Sequence, residues 1–236
     1  MTSHPTWQYD EFQQIGTDYE STAEVAKYDE RMSSLRNIPE ECASIIKAIG
    51  LKRDNRVLEI GTGTGEFAIA AAKQCTHVYA TDVSQIMLDY AQKKSKDRGV
   101  DNITFTRAGF LTYEHSAEPL DAVVTQLALH HLPDFWKAAA LRRIWRMMKT
   151  GGRLYIKDVV FSFDVDNAVP SLNNWIDGVM KQSGEEFGKY IEAHIRDEFS
   201  TYDWMMEGIL RSVGFSISSA NYEDNHAFAE YVCVKI

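Results

Sequence analysis

Val57-Leu-Glu59-Ile-Gly61-Thr-Gly63-Thr-Gly65 begins as a short apolar run and ends as a turn with glycine at every second position. The next residues, Glu66-Phe-Ala-Ile-Ala-Ala-Ala, read as the opening of a helix. A strand feeding a helix through such a turn is the local pattern of a nucleotide-type site, because glycine tolerates the tight turn and lets a ligand approach the backbone. The spacing departs from the dinucleotide fingerprint GxGxxG: Gly61 and Gly63 fit, but Glu66 stands at the third position. A carboxylate at a helix start disfavours a pyrophosphate, which is held there by free N–H groups and the helix dipole. An acidic rim at Glu59 and Glu66 suits a ligand that carries positive charge and no phosphate.

Further along, Asp82 follows the apolar run His77-Val-Tyr-Ala-Thr81. An acid at the end of the adjacent strand can accept hydrogen bonds from both hydroxyls of a ribose. Together the two signals point to an adenosine-containing ligand.

Working outward, short β-branched runs at 56–60, 77–81, 102–106, 120–126 and 153–160 alternate with helical patterns. That alternation predicts a parallel sheet with covering helices. Helices are expected over 66–74, 84–98 and from Pro133 to just before Gly151, with two more ahead of the core at 22–31 and 39–49. Residues 171–182 and 185–197 read as helices of an inserted cap. Ser200, with Asp203 three residues on, resembles a capping box that starts a last helix. Strands near 214–220 and 228–235 are too close in sequence for a crossover helix, so they should form an antiparallel hairpin. The expected organisation is an N-terminal helical cap segment at 1–50, a ligand-binding core at 51–160, a helical cap insertion at 161–199 and a closing helix and hairpin at 200–236.

At 236 residues, with 44% apolar and 25% charged residues, the chain is long enough for a substantial core. The net charge of −9 argues against a broad phosphate-binding surface. The basic group Arg142, Arg143, Arg146 and Lys149 reads as a solvated helix face. Cys42, Cys75 and Cys233 form no CxxC pair, so neither a disulfide framework nor a zinc motif is expected. No apolar run reaches the roughly 18 residues of a membrane span. These features predict a cytoplasmic protein with no membrane and no nucleic-acid partner, as a monomer or homodimer.

The motifs VLEIGTGTG, TDVS, LALHHLPD and MMKTGGRLYIKD, in that order over residues 50–160, resemble the class I S-adenosylmethionine-dependent methyltransferases that act on small molecules. The resemblance implies a Rossmann-like α/β fold whose seven-stranded sheet has the order 3-2-1-4-5-7-6 with strand 7 antiparallel. It implies S-adenosylmethionine as cofactor, with S-adenosylhomocysteine as product. Glu59, Gly61, Thr62, Gly63 and Gly65 would surround its methionine part. Asp82 would hold the ribose, Val83 and Met87 would flank the adenine, and Gln126 would approach the sulfonium. Family members commonly place a Gly-Asp pair after strand 3, whose acid binds the adenine amino group. Here Gly109-Phe110 stands instead, so backbone at Gly109 and Phe110 would have to replace that contact.

Methyl transfer from a sulfonium needs mainly a nucleophile held in line, and a base only when the acceptor must lose a proton. The candidates for such a role are His131, just beyond the fourth strand, and Asp158, near the end of the fifth, each with a structural role as the alternative. His130, Tyr19 and Tyr28 are the expected acceptor-pocket residues, under a roof of cap aromatics. No metal is expected, since His130, His131 and Asp134 lack a recognised ligand spacing. The competing readings are a sensor or scaffold that binds the cofactor without turnover and an NAD(P)-dependent oxidoreductase.

Overall fold

The computed structural model describes residues 6–13 and 37–236. The expected helix at 22–31 lies outside them. The elements are α1 (Ile38–Ala48), β1 (Arg56–Ile60), α2 (Glu66–Ala72), β2 (His77–Asp82), α3 (Gln85–Asp97), β3 (Ile103–Arg107) and β4 (Leu120–Gln126). A one-turn 3-10 helix (Leu129–His131), α4 (Asp134–Met147) and β5 (Met148–Phe161) follow. Then come α5 (Ala168–Ser183), α6 (Glu185–Asp197), β6 (Thr201–Tyr202), α7 (Asp203–Ser212), β7 (Phe215–Tyr222) and β8 (Phe228–Lys235).

The main path of the sheet is β3-β2-β1-β4-β5-β8-β7, with β6 paired to β5 beside it. Strands β1 to β5 are parallel, and β8 runs antiparallel to both β5 and β7. This is the expected order with one relabelling, because the two-residue β6 shifts the last two strand numbers. The central strands are apolar on both faces because helices cover both. Val57, Val78, Val124 and Tyr155 pack with Ile45 of α1 and Phe67 of α2, whereas Leu58, Ile60, Val123 and Ile156 pack with Leu141 and Ile144 of α4 and Leu210 of α7. The alternation of neighbours such as Val57 and Leu58 follows from the two-residue period of a strand.

A third cluster joins Val159 and Phe161, where β5 overhangs the sheet, to Trp175 of α5 and Ile191 of α6. Helices α5 and α6 are thereby held over the carboxyl end of β5, the edge at which open α/β sheets bind ligands.

Local signals placed most boundaries, and tertiary pairing moved others. Ser84 caps α3 by accepting from the Met87 amide at 3.3 Å. Asn37 caps α1 through the Glu40 amide at 3.4 Å. Ser200, expected to cap the last helix, does not: α7 starts at Asp203, and Thr201 and Tyr202 pair in parallel with Val160 and Phe161. The β5 overhang competes successfully for the backbone that a capping box would have used. Helix α4 ends at Met147, and β5 begins at once, running through Gly151 with an irregular register opposite Leu120 and Ala122.

Leu141 is fully buried between α4 and the sheet. Leu141→Ala should lower unfolding free energy by about 2–5 kcal/mol, read as a lower midpoint with an unchanged slope in urea denaturation.

Candidate functional site

The turn after β1 is built for close approach. Thr81 O accepts from the amides of both Gly61 and Thr62 at 2.9 Å, which pulls the loop onto the end of β2. Gly61 has φ +77°, and a Cβ there would lie 2.6 Å from the Ala128 Cβ, so the exit of β4 packs directly on it. Gly63 has φ +52° but open space on its Cβ side. One position is glycine because protein crowds it, the other because the backbone is left-handed and faces a vacant approach. Gly65 precedes α2, also left-handed at φ +81°.

Asp82 stands at the end of β2 and accepts from the Gly63 amide at 2.8 Å and the Ser84 amide at 2.9 Å. The expected ribose acid and the expected glycine loop are therefore one hydrogen-bonded unit. Val83 and Met87 follow: the Val83 carbonyl accepts from Arg107 at 3.0 Å, and Met87 is buried in the first turn of α3.

Glu59 is 3% exposed and accepts from the Thr62 hydroxyl at 2.6 Å. Burial pushes its pKa up to about 8, outweighing the Thr62 and Ala68 hydrogen bonds that lower it, with the Asp82 charge adding to the rise. Burial also raises Asp82. Glu66 corrects the expectation of an acidic rim: its carboxylate pairs with Arg98 at 2.8 Å and Lys94 at 3.1 Å, at the C-terminal end of α3. These two cations hold its pKa below the usual range even though burial opposes them. Its charge is neutralised in place, so the argument against a pyrophosphate loses this support.

At the end of β3, Phe110 is buried in the core, and an acid absent from the neighbouring sequence occupies its surroundings. Glu11, itself buried, accepts from the Leu111 amide at 2.9 Å and the Thr112 hydroxyl at 2.6 Å. A Cβ on Gly109 would lie 2.5 Å from Glu11 Oε2, so glycine at 109 is what admits this carboxylate. The segment carrying it is anchored by Tyr9, whose hydroxyl donates to the His131 carbonyl at 3.0 Å, and by Trp7 stacked on Trp136. No local pattern reveals a contact across about a hundred residues, so sequence reasoning missed Glu11.

Gln126 lies at the end of β4 and lines a cleft of about 210 Å³ with Asn37, Glu41, Tyr155, Lys157 and Glu230. Tyr19 and Tyr28 fall outside the described residues.

The two other predicted site residues on this edge, His130 and Asp158, face each other rather than an acceptor. Asp158 is 1% exposed and fully engaged: it accepts from the amides of Leu129 (2.8 Å), His130 (3.2 Å) and Val159 (2.7 Å) and meets His130 Nδ1 at 2.5 Å. Its expected role in orienting an acceptor is thereby replaced by one in fixing the His130 turn. His130 is enclosed between Asp158 and Glu198, whose Oε2 lies 3.2 Å from His130 Nε2. Burial alone would lower its pKa, but the charge and hydrogen bond of Asp158, then Glu198, raise it to about 9. His131 is half-buried, and burial with the neighbouring His130 charge pushes its pKa down to about 4.

The basic group read from the sequence as one helix face is largely spent within the molecule: on α4, Arg142 donates to the Val213 carbonyl and Arg143 to the Tyr113 carbonyl and Glu114, while Lys149, which falls in β5 rather than on the helix, donates to Asp121.

Residues 57–152, which contain the glycine loop, Asp82 and the histidine turn, match the profile of the methyltransferase domain family. An uncharacterized methyltransferase of Geobacillus sp. is 27% identical over 150 residues, 64% of this chain and 66% of its own length. A ubiquinone/menaquinone biosynthesis C-methyltransferase of Proteus mirabilis is 30% identical over 115 residues, 47% of this chain and 45% of its own. The chain thus spans no more than about two thirds of these two relatives. A solved S-adenosylmethionine-dependent methyltransferase from Aquifex aeolicus superposes with a TM-score of 0.62 at 19% identity, covering 91% of this chain and 98% of that one. The profile places residues 57–152 in the methyltransferase domain family, and with the strand order and the glycine loop it supports a class I S-adenosylmethionine-dependent methyltransferase.

Proposed function

We propose that the protein transfers the methyl group of S-adenosylmethionine to a small-molecule acceptor. In that reaction the acceptor's lone pair forms a bond to the methyl carbon while the carbon–sulfur pair returns to sulfur, giving S-adenosylhomocysteine, and an acceptor proton passes to solvent or a base. The observation that carries this reading is the Asp82 carboxylate hydrogen-bonded to the amide of Gly63, beside open space. Ribose-binding acid and close-approach glycine are set at one mouth before any ligand arrives, which lowers the ordering cost of binding.

Three features support the details. Glu59, Thr62 and the loop amides surround the methionine end, and Glu59 becomes a countercharge once a cation approaches it. Val83 and Met87 stand on the adenine side, where Glu11 supplies, from the N-terminal segment, an acid that position 110 lacks. Gln126, at the end of β4, is the candidate for the sulfonium end, and His131 is the acceptor-side candidate by its place after β4. A small acceptor fits the net charge of −9 and the internal pairing of Arg142, Arg143 and Lys149. The Proteus relative is named for ubiquinone/menaquinone biosynthesis, and quinones are small molecules.

Calorimetry with S-adenosylmethionine tests the cofactor reading. Asp82→Ala should weaken binding at least tenfold, a loss of about 1.4 kcal/mol or more, and Gly63→Val should abolish it. Parental affinity in both variants would overturn the site. Turnover is tested by mass analysis for a methylated product across an acceptor panel. Tight cofactor binding without transfer to any acceptor would favour a sensor.

Glu11→Ala should weaken cofactor binding severalfold while leaving the urea midpoint within the cost of its lost hydrogen bonds, about 1–3 kcal/mol.

Glu59 adds a pH dependence. Its raised pKa keeps it protonated below about 8, whereas the unfolded chain releases that proton near 4.5. Stability of the free protein therefore falls as pH rises between those values and levels above 8. Cofactor binding, which favours the carboxylate, runs the other way: affinity should rise with pH up to about 8 and then flatten. Calorimetry in two buffers of different ionisation enthalpy should show proton release at pH 7, absent in Glu59→Gln.

A further inference from the structure

We propose that the protein carries a site for one divalent transition metal, held by His130, His131 and Glu198. An imidazole nitrogen from each histidine and a carboxylate oxygen of Glu198 lie within 4.8 Å of one another. Ligand atoms about 2.0–2.2 Å from a common ion sit closer than that, so the trio needs a small inward rotation to close. His130 Nε2 and Glu198 Oε2, 3.2 Å apart, already stand at a suitable separation.

The surroundings are those of a prepared ligand set. Asp158 holds His130 Nδ1 at 2.5 Å and takes the His130 amide as well, which locks the ring with Nε2 towards Glu198. A carboxylate on the far nitrogen of a ligating histidine is the usual outer support of a metal site, fixing tautomer and orientation. On the other side, His194 Nδ1 meets the same Glu198 oxygen, while its Nε2 lies 2.8 Å from the Ser200 hydroxyl. Glu198 is thus supported in the same manner as His130.

Glu198 Oε2 is buried, with its side chain only 3% exposed, and both His130 Nε2 and His194 Nδ1 reach it. An ion bound here takes the place of the proton between His130 Nε2 and Glu198 Oε2, so the imidazoles ligate as neutral groups and the two buried carboxylates, Asp158 and Glu198, stay balanced.

Two nitrogens and one carboxylate oxygen select ions of borderline softness, such as zinc, ferrous iron or cobalt, over magnesium and calcium, which prefer oxygen alone. The three ligands come from the turn after β4 and the end of α6, so the ion would clasp the helices over β5 to the sheet edge beside the glycine loop. Sequence spacing conceals this set because Glu198 lies 67 residues beyond His131.

The test uses the full chain, stripped of metal by chelator and titrated with cobalt(II). The expected result is one cobalt per chain with a visible absorption band of four- or five-coordinate geometry, and zinc competing for the same site. Glu198→Gln and His131→Ala should each weaken uptake at least tenfold, and Asp158→Asn by about 10–100-fold. Circular dichroism and S-adenosylmethionine binding report whether each variant folds. If one variant fails to fold, the other and the parent spectrum still decide. Absence of a band in the parent protein would overturn the site in favour of a closed ion-pair network. So would uptake that persists in folded Glu198→Gln and His131→Ala, which would place the metal on other histidines.

Discussion

The carboxylate of Asp158 is the constraint from which the functional edge of this molecule is organised. It lies inside β5 yet accepts the amides of Leu129 and His130, so the turn leaving β4 is pinned to the neighbouring strand. That turn places Ala128 against Gly61, and through it the glycine loop is seated. It also presents His130 to Glu198 at the end of α6, linking the helices over β5 to the sheet. A charge withdrawn from water is expensive, and it persists here because four donors converge on it.

The electrostatics around the glycine loop differ from a simple count of acids. Glu66 is spent on Arg98 and Lys94, Asp82 is divided between two backbone amides, and Glu59 is neutral near pH 7 in the free protein. The loop is therefore less negative than its composition implies, which reduces repulsion among its buried carboxylates.

Much of the fold could be read from sequence because its signals are local. Strands β1 and β4 fall at 56–60 and 120–126 as expected, since their apolar runs are bounded by polar or glycine residues and central burial imposes continuous hydrophobicity. The terminal hairpin followed from spacing alone. What escaped depended on partners far away in the chain. Ser200 carries a capping pattern, but the two residues after it find better partners on β5. Glu66 looked like part of a ligand rim, although Lys94 and Arg98, one helical turn apart on the following helix, were a legible sign that it would be paired. Asp158 and His130 were both singled out as acceptor-side residues. Their enclosure by one another and by Glu198 arises from three segments that only tertiary structure brings together.

The same reasoning gives Glu11 a meaning beyond its hydrogen bonds. In a chain with an acid at position 110, that group would be part of the loop it serves and could not leave it. Here the carboxylate arrives on a separate segment, so its presence at Gly109 depends on the tertiary contacts that dock that segment, the Tyr9 hydrogen bond and the Trp7 stack among them. Loosening those contacts would withdraw the acid while every described strand of the sheet kept its pairing.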